Sequence, residues 1–169
     1  GLLAGLNAAR KALGESQLIL PRQSSYLGTL VDDLVTKGVM DPYRMMTSRS
    51  EYRLTLRQDN ADTRLTPIGR EYGLVQDDRW IKYQQTQAVL DTERRRLHDA
   101  HLRTADLQEA MKAAGLAPAA EGGIAEELLR RPEIDYPLVA GIIGWGEGVT
   151  PMLAERLETE IKYAGYIAR

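Results

Sequence analysis

The sequence predicts an all-α fold, an irregular helical domain with one long helix and several short ones. Apolar residues recur at intervals of three and four, as at Leu27, Leu30, Val31, Leu34 and Val35. This spacing places apolar side chains on one face of a helix. Glycine, proline, serine and threonine stand where such stretches begin and end, as expected at helix termini. Together these observations indicate helices joined by short connections.

The predicted helices follow one another closely along the chain. They cover residues 1–13, 24–37, 67–72, 77–101, 105–114, 124–131, 136–143 and the residues from 151 onward. We expect Ser24 or Ser25 to cap the second helix and Thr104 to cap the fifth. Thr66 and Pro67 are expected to open the third helix, because proline is favoured at the first helical position. Residues 117–123, rich in alanine, proline and glycine, are expected to form a loop.

Residues 49–57 fit two secondary structures. At a period of two, polar and apolar residues alternate, which is a strand pattern. At the helical period, Arg49, Arg53 and Arg57 form one row, and Ser48 with Glu51 would make a capping box. We favour the helix because the cap is specific and the neighbouring segments are helical. Either geometry would place the three arginines on one side.

Composition and charge limit the classes of protein that the chain can belong to. The 169 residues carry 22 Lys and Arg against 24 Asp and Glu, so any nucleic-acid binding depends on a local patch. No apolar run approaches the ~20 residues of a membrane-spanning helix. The absence of cysteine excludes disulfides and thiol chemistry in these residues. We therefore expect a cytoplasmic protein with no membrane contact.

Positive charge is concentrated in the 29 residues from Pro42 to Arg70. Six arginines lie there, against Glu51, Asp59 and Asp62; they are Arg44, Arg49, Arg53, Arg57, Arg64 and Arg70. Fixed guanidinium groups suit bidentate recognition of phosphate or carboxylate. The alternative is a surface of arginine–carboxylate pairs around buried apolar residues. Composition by itself favours the alternative, because charge runs are usually solvated faces.

The other candidate groups predict no chemistry. His98 and His101 stand three residues apart on the long helix, but no cysteine or third ligand accompanies them, so no metal site is expected. No ordered triad is indicated, and no catalytic residue is predicted. Arg94, Arg95 and Arg96 point in different directions around a helix and are interpreted as a solvated face. Trp145 is interpreted as a core residue.

Five short motifs between Pro42 and Thr66 stand in an order typical of one family. They are Pro42–Met45, Thr47–Arg49, Glu51–Leu54, Arg57–Asp62 and Arg64–Thr66, and together they resemble the MnmG (GidA) family. Four other stretches fit the family in the same order, namely Gly1–Ala9, Tyr26–Gly28 with Val31–Leu34, Leu128–Glu133 and Glu160–Arg169. Met46, Thr55 and Ala164 depart from the residues expected at their positions. An ordered match of this length is more specific than any short motif.

The resemblance implies that the chain is an internal piece of a larger flavoenzyme. Residues 1–14 would be a terminal helix left over from the flavin-binding domain, residues 15–23 a linker, and residues 24–169 a truncated C-terminal helical domain. The Gly-rich turn that cradles a dinucleotide phosphate is missing, since no G-x-G-x-x-G follows a strand. We therefore expect these residues alone to bind neither FAD nor NADH and to be inactive.

The resemblance also implies an activity, cofactors and partners for the full-length enzyme. Members of the family use FAD, NADH and methylene-tetrahydrofolate, together with the partner GTPase MnmE. They install an aminomethyl or carboxymethylaminomethyl group at C5 of the tRNA wobble uridine. The helical region would serve tRNA binding and docking of MnmE, and the full-length protein would be a homodimer.

Candidate site residues follow from the positions that match the family. Gly1, Gly5 and Asn7 match the motif on the flavin side. The residues expected to contact tRNA phosphate or to brace the flavin site are Arg44, Arg49, Arg53, Arg57 and Arg64. Two other classes stay open: a helical protein–protein interaction scaffold without nucleic-acid contact, and a nucleic-acid-binding domain without enzymatic function.

Overall fold

The computed structural model describes residues 1–38 and 40–167, and the all-α prediction is confirmed. The α-helices are α1 Leu2–Ala12, α2 Tyr26–Thr36, α3 Ala61–Glu71, α4 Asp77–Asp99, α5 Thr104–Ala113, α6 Ala125–Leu128, α7 Tyr136–Ile143 and α8 Pro151–Ile167. A short 3₁₀ helix covers Thr47–Arg49, and β1 (His101–Leu102) pairs antiparallel with β2 (Gly123–Ile124). Val39, Ala168 and Arg169, the last two of which end the C-terminal stretch of family resemblance, lie outside the described residues.

The chain forms two compact units, Gly1–Leu65 and Thr66–Arg169, with the division inside α3. The second unit has an apolar core built from α4 to α8 and the two short strands. Its fully buried members come from these elements and from the connection between α6 and α7; they are Leu97, Leu102, Leu107, Met111, Ala125, Leu129, Ile134, Tyr136, Val139, Leu157 and Ile161. Burial of these side chains stabilises the unit by roughly 1.5–3 kcal/mol for each large one.

The first unit is built differently, because α2 buries its polar face. Ser25, which caps α2 by accepting a hydrogen bond from the Gly28 nitrogen at 2.9 Å, is buried with Thr29 and Asp33. The apolar stripe that predicts the helix is largely exposed, including Leu27, Val31, Leu34 and Val35. The periodicity therefore predicts the helix correctly but does not predict which face is buried.

Residues 50–57 form neither a helix nor a strand, so the helix prediction for residues 49–57 is wrong. The 3₁₀ helix ends at Arg49, Ser50 is extended, and residues 51–55 form consecutive turns. Glu51 does not close a capping box with Ser48, because its carboxylate accepts both of its bonds from Arg22. A long-range ion pair thus replaces the local cap.

Two further helix boundaries differ from the prediction. Helix α3 begins at Ala61 and contains Pro67 in its interior, whereas Pro67 was expected at its start. Thr104 is the first residue of α5 and does not cap it; its hydroxyl accepts a hydrogen bond from the Gly122 nitrogen at 3.0 Å. That bond, together with β2, fixes the end of the loop predicted at residues 117–123.

Candidate functional site

The candidate site is the arginine segment, defined here as residues 42–65 of the first unit. It lies beside α2, and its anchor is Arg22, which precedes that helix. The Arg22 guanidinium donates a bidentate pair to Glu51, with both N–O distances 2.8 Å. It also donates to Asp32 at 2.9 Å, to Asp33 at 2.7 Å and to the Arg49 carbonyl at 3.2 Å. One side chain therefore ties α2 to the middle of the arginine segment.

Asp33, Glu51 and Arg22 stabilise each other's charged forms. Hydrogen bonds from Arg22 lower the pKa of Glu51 to about 2. Hydrogen bonds from Lys37 and then Arg22 hold the pKa of Asp33 well below its usual range, and bonds to Glu51 and Asp33 raise the pKa of Arg22. These three groups are thus ionised at neutral pH, and the five hydrogen bonds of Arg22 go to the three carboxylates and the Arg49 carbonyl.

Asp33 links this cluster to Tyr43 and Arg49. The Tyr43 hydroxyl donates to Asp33 at 2.8 Å, and burial, followed by the Asp33 bond, raises the pKa of Tyr43. The Arg49 guanidinium lies over the Tyr43 ring, 4.4 Å from its centroid, which is a cation–π contact. The Arg49 Nε atom is buried and has no hydrogen-bond partner among the described residues. Arg49 also lines, with Ser48, a pocket of about 460 Å³.

Two of the predicted arginines are engaged with their own segment. Arg57 donates to the Asp59 carboxylate at 2.9 Å and to the Leu54 carbonyl at 3.1 Å. Arg64 donates to the Asn60 side chain at 3.0 Å and to the Arg57 carbonyl at 2.8 Å, and it also bonds the Ser24 carbonyl. Burial, followed by the charge of Arg57, lowers the pKa of Arg64. Both side chains fasten the chain where it enters α3.

Arg44 and Arg53 have a different environment. Both are exposed, and neither makes a hydrogen bond or an ion pair with any residue that the structure describes. The row of Arg49, Arg53 and Arg57 expected on one side is therefore not a set of equivalent groups. One of its members stacks on a ring, one is free and one is paired with a carboxylate.

The residues predicted on the flavin side lie at the start of the chain, on and beside α1. Gly1 and Gly5 are exposed, and a Cβ at either would meet no atom of this chain within 4 Å. The Asn7 amide donates to the Leu18 carbonyl at 2.9 Å and accepts from the Leu18 nitrogen at 2.8 Å. Asn7 therefore holds the connection after α1 in place, and we assign these three residues no step of any reaction.

Other kinds of site can be assessed over residues 1–38 and 40–167. In that range no group of three metal-ligating side chains comes together, and no helix is long and apolar enough to cross a membrane. His98 Nδ1 lies 3.2 Å from Glu126, which also faces Arg94 at 3.6 Å. The His98 ring is thus part of a surface ion cluster on α4.

Sequence reasoning missed two residues that organise the structure. Arg22 has partners 10 to 29 positions away, and no local pattern identifies it. Glu93 is buried in the second unit, where it accepts from Arg96 at 2.7 and 2.8 Å and from Tyr136 at 2.7 Å. Glu93 was detectable, because it shares the buried helical stripe of Leu90 and Leu97.

Comparison with known proteins gives the class and the family of the chain. Residues 77–169 match the family model described as the tRNA modifying enzyme MnmG/GidA C-terminal helical domain. The helical second unit is therefore a domain of this class. The chain belongs to the MnmG/GidA family.

Similar proteins agree with this assignment along the whole chain. Two proteins named tRNA uridine 5-carboxymethylaminomethyl modification enzyme MnmG, from Listeria monocytogenes serotype 4b and Streptococcus thermophilus, are 47% and 49% identical over 170 and 169 residues. They cover 100% and 99% of this chain, which spans 27% of their length. The form II crystal structure of Aquifex aeolicus GidA superposes with a TM-score of 0.81 at 32% identity, over 98% of this chain and 25% of that one.

Proposed function

We propose that these residues are part of a flavin-dependent enzyme that modifies C5 of the tRNA wobble uridine. The support is the 47% identity to proteins named for that activity, over the full length of this chain. In this proposal residues 1–14 close the flavin-binding domain, residues 15–23 link it, and residues 24–169 belong to the helical domain. FAD and NADH are cofactors of the full-length enzyme, in which Gly1, Gly5 and Asn7 lie on the flavin side. The full-length homodimer works in the cytoplasm with tRNA and the GTPase MnmE.

Within that enzyme, we assign contact with tRNA phosphate to Arg44 and Arg53. Their support is that both are exposed cations with no partner among the described residues, so binding a phosphate breaks no existing ion pair. Arg22 contributes indirectly, because its five hydrogen bonds fix the backbone on which Arg53 stands. Arg49 contributes through the face it presents beside the 460 Å³ pocket.

Arg57 and Arg64 are assigned a bracing role, which is the part of the scaffold alternative that specific contacts favour. Arg57 already bonds a carboxylate, and Arg64 already bonds backbone carbonyls. A phosphate would have to compete with these bonds. A pure interaction scaffold would require the same engagement at Arg44 and Arg53, where it is not found among the described residues.

The test compares alanine variants in the full-length enzyme by salt-dependent tRNA binding. Arg44→Ala and Arg53→Ala should each weaken binding of any tRNA and flatten the log–log salt dependence by roughly 0.7–0.9 units, with little change in melting temperature. Arg→Lys should restore the slope but only part of the affinity, because an ammonium lacks the bidentate fork. The main effect of Arg57→Ala and Arg64→Ala should be a lower melting temperature.

Arg79→Ala is the matched control, since this arginine is also exposed, has no partner among the described residues and lies in the second unit. It should leave both affinity and slope unchanged. If Arg44→Ala and Arg53→Ala behave like the control, phosphate contact by the arginine segment is wrong and the scaffold function is favoured.

The cofactor assignment has a separate test. Flavin fluorescence titration of the 169-residue chain should show no stoichiometric binding of FAD, because a phosphate-cradling turn is missing from its sequence. Tight binding would show that the prediction that this chain alone binds no FAD is wrong.

A further inference from the structure

One of the two tyrosines in the arginine segment has an exposed ring without a partner. Tyr52 is 41% exposed, and its side chain makes no hydrogen bond, ion pair or ring contact with any residue that the structure describes. Tyr43 differs, because its hydroxyl donates to Asp33 and Arg49 lies over its ring. The scaffold alternative requires the apolar side chains of the segment to be buried. Leu56 meets this requirement, being 3% exposed, and Tyr52 does not.

Hydrogen bonds to backbone carbonyls fix the chain around Tyr52. This stretch, residues 51–56, is called the Tyr52 turn here. The Tyr52 carbonyl accepts from the nitrogens of Thr55 and Leu56, each at 2.9 Å. The Asn60 side chain donates to the Thr55 carbonyl at 2.9 Å, and the buried Leu56 anchors the end of the turn. The ring therefore leaves the surface from a backbone of defined conformation.

Arginines hold the Tyr52 turn from both sides. Glu51, the first residue of the turn, accepts a bidentate ion pair from Arg22. Arg57, which follows the turn, donates to the Leu54 carbonyl at 3.1 Å and to the Asp59 carboxylate at 2.9 Å. The carboxylates nearest to the turn in sequence are therefore already paired.

The charge that stays unpaired on the turn is positive. Arg53 directly follows Tyr52 and is an exposed cation with no partner among the described residues. Leu54, the next residue, is also exposed, at 39%. Three consecutive residues of one fixed turn thus present an aromatic ring, a guanidinium and an apolar side chain.

An unpaired nucleotide has the complementary chemistry. Its base offers a flat face to an aromatic ring, and its phosphate offers negative charge to an arginine. Bases inside a duplex are stacked on one another, so a ring of this kind distinguishes unpaired from paired RNA. An acidic peptide would satisfy Arg53 and leave the ring face of Tyr52 uncovered. Tyrosine has only two side-chain torsions, and a fixed turn further lowers the entropic cost of binding.

We propose that Tyr52 is a stacking platform for one unpaired base of the tRNA, with Arg53 bonding the adjoining phosphate. This inference rests on the proposed function and deepens it. The wobble uridine lies in a loop of unpaired nucleotides, and the Tyr52 turn selects such a loop over a duplex. Tyr52 contributes affinity for the loop, whereas the arginine contributes the salt dependence of binding.

The experiment measures the binding of two RNAs to the full-length enzyme at several salt concentrations. One is the anticodon hairpin of a tRNA that the enzyme modifies, and the other is the same hairpin with its loop paired to a complementary strand. The wild type should bind the open loop more tightly. Tyr52→Ala should weaken binding of the open loop by roughly 5- to 150-fold, the range found when a stacking aromatic is removed, and leave the paired form unchanged. The salt dependence should stay the same, because no charge is lost.

Three further variants separate stacking from folding. Tyr52→Phe keeps the ring and should bind like the wild type, because the hydroxyl has no partner among the described residues. Tyr52→Leu keeps an apolar side chain without a π-face and should bind as weakly as Tyr52→Ala. Tyr166→Ala is the control, since Tyr166 is 67% exposed and lies in the second unit, and it should change neither affinity.

A fluorescent base analogue reports stacking directly. The analogue 2-aminopurine, placed at each loop position in turn, should be quenched on binding to the wild type at the position that meets the ring. Tyr52→Phe should keep this quenching and Tyr52→Leu should lose it. A residue with a purely structural role would not move this signal in that pattern.

Each outcome separates this inference from the proposed function. If the wild type binds tRNA and Tyr52→Ala or Tyr52→Leu binds the open loop equally well, stacking is wrong and the proposed function stands. If the wild type binds no tRNA, both are wrong. If Tyr52→Ala and Tyr52→Phe lower the melting temperature and weaken binding of both RNAs alike, the residue is structural and the inference is overturned. If Tyr52→Ala changes only the absorption spectrum of the bound flavin, the ring packs on the flavin-binding domain and the inference is likewise overturned.

Discussion

Removing one hydroxyl, by Tyr136→Phe, should test whether the Glu93 cluster holds the second unit together. Tyr136 is fully buried, and its ring occupies the core that α4, α7 and α8 share. Phenylalanine fills the same volume, so no cavity forms and the apolar contacts persist. The change removes only the two hydrogen bonds of the hydroxyl, one to Glu93 at 2.7 Å and one from Gly146 at 3.2 Å.

The expected loss is about 2–4 kcal/mol of unfolding free energy. A hydrogen bond to a charged group contributes roughly 1.5–3 kcal/mol, and a buried donor left without an acceptor costs roughly 1–3 kcal/mol. Arg96 keeps its two bonds to Glu93, which prevents the larger penalty of an unpaired buried carboxylate. The expected loss is therefore smaller than the two separate costs added together.

Urea unfolding followed by circular dichroism at 222 nm measures the loss. The midpoint should fall while the slope stays unchanged, because the surface exposed on unfolding is the same. Tyr166→Phe is the matched control: it removes the same hydroxyl from a side chain that is 67% exposed, and it should change stability by less than about 0.5 kcal/mol. A loss for Tyr136→Phe as small as that of the control would refute the view that the cluster contributes to stability.

Two further predictions concern the first unit. Asp33 and Glu51 have pKa values lowered in the folded state, so the stability they contribute is fully present above their unfolded pKa values near 4 and is lost as the pH falls towards about 2. Thermal melts from pH 7 to 2 should show this loss, and Glu51→Gln should reduce it. A melting temperature of Glu51→Gln that falls with pH as steeply as that of the wild type would contradict the ion-pair assignment. Gly28→Ala should destabilise α2, because the new Cβ would lie 2.5 Å from the Leu20 carbonyl oxygen, while Gly5→Ala, which meets nothing within 4 Å, should stabilise α1 by about 0.5–1 kcal/mol. Chemical unfolding of Gly28→Ala and Gly5→Ala measures the change in unfolding free energy of each. Stabilisation by Gly28→Ala would mean that helix propensity outweighs the close approach.

Local chemistry is what the sequence by itself determined. Ser25 caps α2, Asp77 begins the long helix and Pro151 begins α8, as expected from contacts that span three or four residues. Such contacts involve only neighbouring residues, so they can be read from the local sequence where no distant group competes for them. The resemblance words likewise led to the correct family, because an ordered match does not depend on geometry.

Only the tertiary structure decided how the arginines are used. The capping box of Ser48 and Glu51 was lost because Arg22, 29 positions before Glu51, offers that carboxylate a bidentate ion pair. Arg57 and Arg64 bond groups two to seven residues away, and Arg64 also bonds Ser24, 40 positions before it. Arg44 and Arg53 stay exposed. A guanidinium can bond any carboxylate or carbonyl that folding brings within its reach.

The buried face of α2 and the exposure of Trp145 were also decided by the tertiary structure. The spacing of apolar residues predicted α2, but Asp33 and Thr29 face inward because Arg22, Lys37 and Tyr43 satisfy the carboxylate there. Trp145, expected in the core, is 50% exposed. The next residue, Gly146, bonds the Tyr136 hydroxyl, which in turn bonds Glu93, 43 positions before Tyr136. The spacing of residues indicates which of them share a helix face. Which face is buried depends on the groups that pack against it or bond to it, and those lie elsewhere in the chain.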